Sequence, residues 1–286
     1  MKFTKLQSAG NDFVLVEAGS DGRDWSKLSR EICRCHYGIG ADGLLILLPS
    51  KIADIGMRVI NADGSEAEAC GNGLCCLAKY AADNGFTGAG TEEISVETIA
   101  GIRNAHLIEG SGKTRKIQAA MGKPEFEANR IPVAVEEGKG RTVDIKMITD
   151  YPLVVDNRKL TLSFVSMGNP HAIFFQEKPV TEFPLSKIGP IVENHSLFPE
   201  RVNFEVAKVN SRKNIEVRVW ERGVGETLAC GSGACAVAVA ARMLDYANSP
   251  LEVILPGGTL EVAWDGVGEV ILGGVVETVF SGEWLE

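Results

Sequence analysis

Short apolar runs separated by turn-forming residues recur along the whole chain, a pattern typical of a protein built from many short strands. The first two strands are expected at Phe3–Leu6 and Phe13–Val16, on either side of the turn-forming cluster Ser8–Asp12. A continuous apolar run at Leu44–Leu48 predicts a buried strand. The other predicted strands are Met57–Ile60, Ile94–Ile99, His106–Ile108, Lys116–Met121, Ile131–Val135, Val143–Met147, Leu153–Val155, Leu160–Val165, Ala172–Phe175, Val202–Val206, Glu216–Trp220, Leu251–Leu255, Thr259–Trp264, Glu269–Leu272 and Val275–Phe280.

Three segments have helical patterns instead. Trp25–Cys35 places apolar residues at helical spacing, and Leu74–Asp83 ends at an Asn-Gly pair that is a typical helix stop. Ala234–Leu244 is apolar on every side, so it is expected to be a helix that is buried all round. Gly189–Arg201 is polar and punctuated by proline, and no element is predicted there.

Two stretches of the chain are copies of each other. Cys70–Cys75 reads CGNGLC and Cys230–Cys235 reads CGSGAC, and each runs into one of the helical segments. An Arg-Val pair and then a glutamate precede each copy at the same spacing: Arg58, Val59 and Glu66, and Arg218, Val219 and Glu226. The predicted class is therefore α+β, with two similar domains from an internal duplication. Each domain is expected to wrap short strands around one buried helix, with the active site in the cleft between the domains.

Composition narrows the function classes. The chain has 286 residues, 45% hydrophobic and 23% charged, which is ordinary for a globular protein with a sizeable core. Its net charge of −9 disfavours nucleic acid as a partner. No apolar run is long enough to span a membrane and no signal peptide is recognised, so a cytoplasmic protein is expected. Its seven cysteines are then expected to be reduced thiols.

The leading cysteine of each copy lies where a helix is expected to begin. Helix N-termini attract anions and lower the pKa of a thiol, so Cys70 and Cys230 are the candidate reactive residues. A disulfide is disfavoured by compartment, zinc would need further ligands, and the C-x-x-C spacing of thiol–disulfide exchange is absent. The remaining task for two such thiols is acid–base catalysis, one on each face of a substrate carbon. Cys75, Cys76 and Cys235 are expected in the core.

Several motifs, in order along the chain, resemble the diaminopimelate epimerase family. They are Gly10–Phe13, Gly38–Gly43, Asn61–Glu66, Cys70–Gly73, Gly168–His171, Val202–Phe204, Glu221–Thr227 and Ala229–Cys235. The resemblance implies an epimerase that interconverts LL- and meso-diaminopimelate on the route to lysine and peptidoglycan. It implies no cofactor and no metal. It also implies that the C-terminal strand returns to the first domain, giving domains of residues 1–118 with 275–286, and 119–274.

The same resemblance assigns roles to single residues. Cys70 and Cys230 match the two catalytic bases. Backbone at Gly71-Asn72 and Gly231-Ser232 matches the contacts to the reacting carboxylate. The residues matching the readers of the distal amino acid end are Asn11, Asn61, Asn169, Asn203, Glu221 and Arg222. His171 and Glu226 are expected near the thiols as groups that tune them. Cys75 departs from the family pattern, in which an arginine is expected at that place.

Two alternatives remain open from the residues themselves. One is a racemase or epimerase of another amino acid on the same scaffold, which the charged pair Glu221-Arg222 disfavours for a proline-like substrate. The other is a redox or metal-binding module that uses the seven cysteines, among them Cys33 and Cys35. The expected partner is a small amino acid substrate, and the oligomeric state is left open, with a homodimer as one form.

Overall fold

A computed structural model describes residues 1–18, 22–67, 70–88, 90–136, 138–143 and 147–285. Two units make up the chain: Met1–Ala120 with Gly273–Glu286, and Met121–Leu272. Within the described ranges, no helix is both long and apolar enough to span a membrane.

The first unit is built around a helix that packs on a curved set of strands. Its elements, in chain order, are β1 (Lys2–Ser8), β2 (Asn11–Glu17), α1 (Trp25–Ile32), β3 (Gly43–Leu48), β4 (Ile55–Asn61), α2 (Gly71–Asp83), β5 (Glu93–Thr98), β6 (Gly101–Ser111) and β7 (Thr114–Ala120). Helix α2 contacts strands β1 to β4, β6 and β7, and its Leu77 is fully buried. A fully buried leucine contributes roughly 1.5–3 kcal/mol to stability. Because several other residues of α2 are buried as well, the helix forms much of the unit's core.

The second unit repeats this plan. Its elements are β8 (Arg141–Val143), β9 (Met147–Thr149), β10 (Tyr151–Val155), β11 (Arg158–Ser166), β12 (Pro170–Phe175), α3 (Leu185–Glu193), β13 (Asn203–Ser211), β14 (Asn214–Glu221), β15 (Gly225–Thr227), α4 (Gly231–Met243), β16 (Leu251–Leu255) and β17 (Gly258–Ala263). Strand β18 (Ile271–Glu283) follows, and its residues from Val276 onward pair antiparallel with β1 of the first unit. Helix α4 is rich in alanine, a strong helix former, and ten of its thirteen residues are buried.

The duplication is visible in the strand pairing. In the first unit β2 runs parallel to β3, which pairs antiparallel with β4 before α2 begins. In the second unit β12 runs parallel to β13, which pairs antiparallel with β14 before α4 begins. The predicted class, α+β with short strands around a buried helix in each half, is confirmed.

Four element predictions need correction. The strand at Ile131–Val135 is wrong: this segment is irregular, and its Ile131 N–H donates to Glu127 while Val133 N–H donates to Ala128. The two strands Glu269–Leu272 and Val275–Phe280 are replaced by one, β18, because the intervening glycines continue the extended backbone. Helix α1 ends at Ile32, three residues early, because loop N–H groups take over its last carbonyls. One further prediction, the strand Val143–Met147, is not among these four, because residues 144–146 lie outside the described residues.

Helix α3 is the fourth correction, because no element was predicted over Leu185–Glu193. Pro190 lies inside this helix, and a proline there is normally read as a helix breaker. The helix is stabilised instead by burial of Leu185, Ile188 and Val192. Gly189 lets it approach Trp220, because a Cβ at that position would lie 2.5 Å from the indole ring.

Candidate active site

The two leading cysteines have the same local geometry in their separate units. Cys70 is the N-cap of α2, and its sulfur accepts the Gly73 N–H at 3.3 Å. Cys230 is the N-cap of α4, and its sulfur accepts the Gly233 N–H at 3.4 Å. The thiol thus replaces the hydroxyl or carboxylate oxygen that usually caps a helix. Each sulfur therefore lies at the positive end of a helix dipole.

Backbone donors surround each sulfur. The first N–H groups of a helix have no partner within the helix, and the first intrahelical bonds here are made by Leu74 and Ala234. Gly71 and Asn72 begin α2, and Gly231 and Ser232 begin α4. Free N–H groups at the start of a helix are typical donors to anions. Their predicted contact with a carboxylate stays a prediction.

The trailing cysteines lie in the core, as predicted. Cys75, Cys76 and Cys235 are all buried, and burial raises the pKa of Cys75 to about 12. Burial also raises the pKa of Cys76 well above its ordinary value. Cys75, at the place where the family pattern has arginine, packs in the apolar core of the first unit. All three act as small apolar side chains in the core.

In the first unit, two predicted site residues are brought together at the start of α2. The Asn72 amide donates to Asn11 Oδ1 at 3.2 Å. The Asn11 amide in turn donates to Asp42 Oδ2 at 2.7 Å, which also accepts the Asp12 N–H. Burial raises the pKa of Asp42 from its ordinary value. Asp42 thereby fixes the orientation of both asparagines.

A buried lysine supports that network. Lys5 Nζ lies 2.5 Å from Asp12 Oδ2 and donates to the Gly40 carbonyl. Sequence reasoning did not select Lys5 or Asp42 as site residues. The strand reads KFTKLQS, in which Lys5 is one of several polar residues, so no local signal marked it as a buried charge that requires a partner.

Asn61 occupies the end of β4, just as Glu221 occupies the end of β14. Its side-chain amide donates to Ser65 Oγ at 3.0 Å, within the turn that follows the strand. The structure therefore places Asn61 in its own turn rather than in the network of Asn11 and Asn72. A substrate-binding role for Asn61 stays a prediction.

In the second unit, a chain of hydrogen bonds connects Cys230 to the interior. Ser232 Oγ lies 3.4 Å from the Cys230 sulfur and accepts from the Asn169 amide at 3.2 Å. Asn169 Oδ1 lies 2.9 Å from His171 Nε2, and His171 Nδ1 lies 2.7 Å from Glu205 Oε1. His171 was predicted near the thiol, whereas Glu205 was not selected as a site residue.

The environment of Cys230 favours the neutral thiol. Burial raises its pKa well above the ordinary value, and the carboxylates of Glu221 and Glu205 raise it further, while hydrogen bonds from Ser232 and the Gly233 N–H oppose them. The sequence-based expectation that the helix N-terminus lowers this pKa is therefore wrong for Cys230. The physical reason is that loss of water outweighs the helix dipole when a thiol is almost fully buried.

This environment leads to a measurable expectation. Because a thiolate, not a thiol, attacks iodoacetamide, Cys230 should be alkylated far more slowly than the exposed Cys35 at pH 8. Peptide mass spectrometry after timed alkylation gives both rates from one sample. The rate at Cys230 should still be rising at pH 9, above the ordinary thiol pKa. Equal rates for the two cysteines at pH 8 would contradict a raised pKa.

Three predicted residues meet at the turn after β14. Asn203 Oδ1 accepts the Arg222 N–H at 3.0 Å, and the Arg222 guanidinium donates to the Glu200 carbonyl at 3.0 Å. Glu221, whose pKa is raised by burial, accepts from the Thr227 hydroxyl and hydrogen-bonds with Cys230. This turn thus places the Glu221 carboxylate beside the second thiol, while the guanidinium of the next residue, Arg222, is held at the Glu200 carbonyl.

A buried carboxylate from α3 holds this turn in place. Glu193 accepts the Gly223 N–H at 2.8 Å and the Trp220 indole N–H at 2.7 Å, and it pairs with Arg201 at 3.2 Å. Sequence reasoning missed Glu193 because it lies in α3, a helix that was not predicted owing to Pro190 in its interior. No local signal connects it to a turn thirty residues away.

Glu226 was predicted to lie near the second thiol and tune it, but its contact in the structure is an ion pair with an arginine. Its carboxylate lies 2.7 Å from the Arg218 guanidinium, just as Glu66 lies 2.7 Å from Arg58 in the first unit. These matched ion pairs connect the strand before each motif to the segment that enters it. A thiol-tuning role for Glu226 stays a prediction.

The segment around Cys33 and Cys35 shows no comparable arrangement. Burial raises the pKa of Cys33 to about 11, and its sulfur lies 3.6 Å from Ser29 Oγ, while Cys35 is exposed. Across the part of the chain that the structure describes, no three His, Cys, Asp or Glu side chains are grouped as a metal ion would require.

The fold has clear relatives among solved structures. A phenazine biosynthesis protein of the PhzF family from Bacillus anthracis gives a TM-score of 0.67 at 17% identity, covering 100% of this chain and 99% of that one. A probable proline racemase from Agrobacterium radiobacter gives 0.69 at 15% identity, covering 99% of this chain and 92% of that one. These likenesses define the class of fold: the chain folds as the PhzF-family protein and the probable proline racemase do.

Sequence comparison then narrows the class to one family. A family model described as diaminopimelate epimerase matches residues 3–127 and 163–279. Relatives named diaminopimelate epimerase from Caldanaerobacter subterraneus and Desulfovibrio desulfuricans are each 44% identical, covering 99% of this chain and 99% and 98% of theirs. The chain belongs to the diaminopimelate epimerase family, a family of isomerases. The resemblance seen in its motifs is confirmed.

Proposed function

We propose that this protein interconverts LL- and meso-diaminopimelate by moving the α-proton between Cys70 and Cys230. The observation that carries the proposal is the duplicated thiol at a helix N-terminus, one in each unit, with backbone donors beside each sulfur. Family membership and 44% identity to relatives named diaminopimelate epimerase support it. The reaction belongs to the synthesis of lysine and of peptidoglycan precursors.

The proposed reaction needs one thiolate and one thiol on opposite faces of the substrate carbon. The thiolate removes the α-proton, and the electron pair left on carbon delocalises into the adjacent carboxylate. N–H groups of Gly71, Asn72, Gly231 and Ser232 stabilise the charge that develops there. The opposite thiol then returns a proton, which inverts the centre. The raised pKa of Cys230 supports its role as the proton donor in the direction that starts from the resting protein.

Recognition of the distal end is assigned to the turn after β14 and to the asparagines. The Arg222 guanidinium is a planar fork that suits a carboxylate, and the Glu221 carboxylate suits an ammonium group. The amides proposed to complete the contacts are those of Asn11, Asn61, Asn169 and Asn203. Proline and hydroxyproline carry no distal amino acid group, so they would leave this charged pair without a partner.

The test follows the α-hydrogen directly. Reduced protein incubated with meso-diaminopimelate in heavy water should incorporate one deuterium at the α-carbon of each inverted product, as measured by mass spectrometry and chiral chromatography. Proline and hydroxyproline serve as control substrates and should show no exchange. The proposal fails if diaminopimelate does not exchange under reducing conditions, and exchange with proline alone would favour another racemase on this scaffold.

The proposed chemistry uses side chains and backbone groups of this chain alone, so no cofactor is included. A reducing compartment suits it, because the proposed mechanism requires Cys70 and Cys230 as reduced thiols. We accordingly propose a cytoplasmic location.

A further inference from the structure

The two halves of the site differ at a buried position that the motifs do not reveal. In the first unit β2 and β3 run parallel with Phe13 opposite Gly43 and Leu15 opposite Leu45. In the second unit β12 and β13 run parallel with His171 opposite Asn203 and Ile173 opposite Glu205. The duplication therefore matches His171 with Phe13 and Glu205 with Leu45. One half has an apolar pair where the other has a histidine and a carboxylate.

Contacts with the helices confirm this correspondence. A Cβ on Gly73 of α2 would lie 3.0 Å from the Leu45 side chain and 3.1 Å from the Cys70 sulfur. A Cβ on Gly233 of α4 would lie 2.9 Å from Glu205 Oε1 and 3.4 Å from the Cys230 sulfur. Each second glycine of the motif thus separates its thiol from the side chain at the equivalent strand position. In the second unit that side chain is a carboxylate, so a negative charge is the close neighbour of Cys230.

The histidine and the carboxylate are both fully buried. His171 and Glu205 are each 0% exposed, and burying a carboxylate is unfavourable unless hydrogen bonds compensate for the lost water. Glu205 Oε1 has its partner at 2.7 Å in His171 Nδ1, but Oε2 is buried without a hydrogen-bond partner among the described residues. A leucine, as in the first unit, would avoid this cost. A buried carboxylate at position 205 therefore indicates a functional role, because it does not favour stability.

We propose that the Glu205–His171 pair is a positioning element for the second thiol. Glu205 accepts a hydrogen bond from the Nδ1–H of His171 and so fixes the orientation of the ring. The ring fixes Asn169, Asn169 fixes Ser232, and the Ser232 hydroxyl holds the Cys230 sulfur. The charge of Glu205 also keeps Cys230 protonated between turnovers, whereas the apolar pair beside Cys70 adds no such charge. The pair thus makes two symmetric half-sites chemically unequal.

This inference rests on the proposed function for its catalytic meaning, but its chemical part is independent. The carboxylates near Cys230 are Glu205 from β13 and Glu221 from the end of β14, and His171 from β12 lies in the same network. The direction of the Cys230 pKa shift agrees, because both carboxylates raise that pKa. The Glu221 carboxylate is left in place in every variant below, so the change measured belongs to Glu205 and His171.

The first arm of the test measures the thiol without turnover. In a Cys70→Ala background, the rate of Cys230 alkylation by iodoacetamide is followed against pH by peptide mass spectrometry, with Cys35 in the same sample as the reference. Glu205→Gln keeps a hydrogen-bond acceptor but removes the charge. It should move the Cys230 profile to lower pH by at least about 0.5 unit, or about threefold in rate at pH 8. Glu252→Gln, an exposed carboxylate on β16, should leave the profile unchanged.

The second arm tests positioning. The double variant His171→Phe with Glu205→Leu copies the pair of the first unit, and it is expected to fold even if Glu205→Gln does not. It should lower kcat/KM for diaminopimelate by at least about tenfold, because Asn169 loses its hydrogen bond to His171 and no longer holds Ser232 in place. Glu205→Gln, which keeps the hydrogen-bond geometry, should keep KM within about twofold and shift the pH profile of kcat.

The outcomes separate the two proposals. An unchanged alkylation profile in Glu205→Gln would overturn the charge effect, and full activity of the double variant would overturn positioning. If the unaltered protein does not epimerise diaminopimelate at all, the proposed function fails. The alkylation arm still decides whether Glu205 controls the thiol in that case.

Discussion

Replacing Cys70 or Cys230 with serine should each lower kcat for epimerisation by about a thousandfold, because a hydroxyl neither gives nor takes a proton at neutral pH as a thiol does. The fold should survive, since serine is a favourable N-cap and both cysteines occupy N-cap positions. Steady-state kinetics in both directions, with circular dichroism to verify folding, measures the effect.

The two serine variants should also differ from each other. Each retains one thiol, so each should exchange the α-hydrogen of one epimer slowly with heavy water and without inversion. The epimer that exchanges should be the opposite one in the two variants, because the remaining base lies on the opposite face. Cys35→Ser, at an exposed position, is the matched control and should keep full activity. A two-base assignment is untenable if either variant retains more than a tenth of the activity.

Gly38→Ala is the substitution expected to destabilise the fold most. A Cβ at this position would lie 2.5 Å from the Ile32 carbonyl oxygen and even closer to that of Glu31, at the end of α1. Backbone carbonyls cannot rotate away as a flexible side chain does, so the loop after the helix must shift. The expected loss is about 3 kcal/mol in the free energy of unfolding, or a Tm lower by about 10 °C. Chemical denaturation and a thermal melt measure it.

Gly88→Ala provides the control for this prediction. A Cβ there meets nothing closer than the Thr91 hydroxyl at 3.5 Å, an ordinary van der Waals contact. Its stability should therefore stay within about 0.5 kcal/mol of the unaltered protein. If Gly38→Ala were as stable as Gly88→Ala, the tight turn that follows α1 would not be required by the fold.

Local patterns predicted most of the elements because each pattern reports on burial of one face. The apolar run at Leu44–Leu48 and the all-round apolar segment Ala234–Leu244 both correspond to buried elements in the structure, β3 and α4. The elements that were predicted wrongly are those in which tertiary packing overrides the local pattern. Pro190 and the Gly273-Gly274 pair are local breakers, and tertiary burial of the flanking residues kept α3 and β18 continuous through them.

The candidate site residues also fall into those that the sequence indicated and those that only the structure revealed. Motif spacing led to both N-cap cysteines, because the motif and the helix start lie within a few residues. The asparagines were selected through the resemblance to the family. The supporting charges Asp42, Glu193 and Glu205 were not found. Each acts on a residue that is distant in sequence: Asp42 on Asn11, Glu193 on Gly223 and Glu205 on His171.

The sequence by itself determined the class of fold, the duplication and the family, and it selected the two thiols as candidates, because these depend on periodicity and on motifs that are local. Only the tertiary structure decided that Cys230 is held as a neutral thiol and that Glu205 meets His171. The physical reason is the register of strand pairing. Parallel pairing of β12 with β13 brings together side chains 34 residues apart, and burial among those strands sets the charge that the thiol experiences.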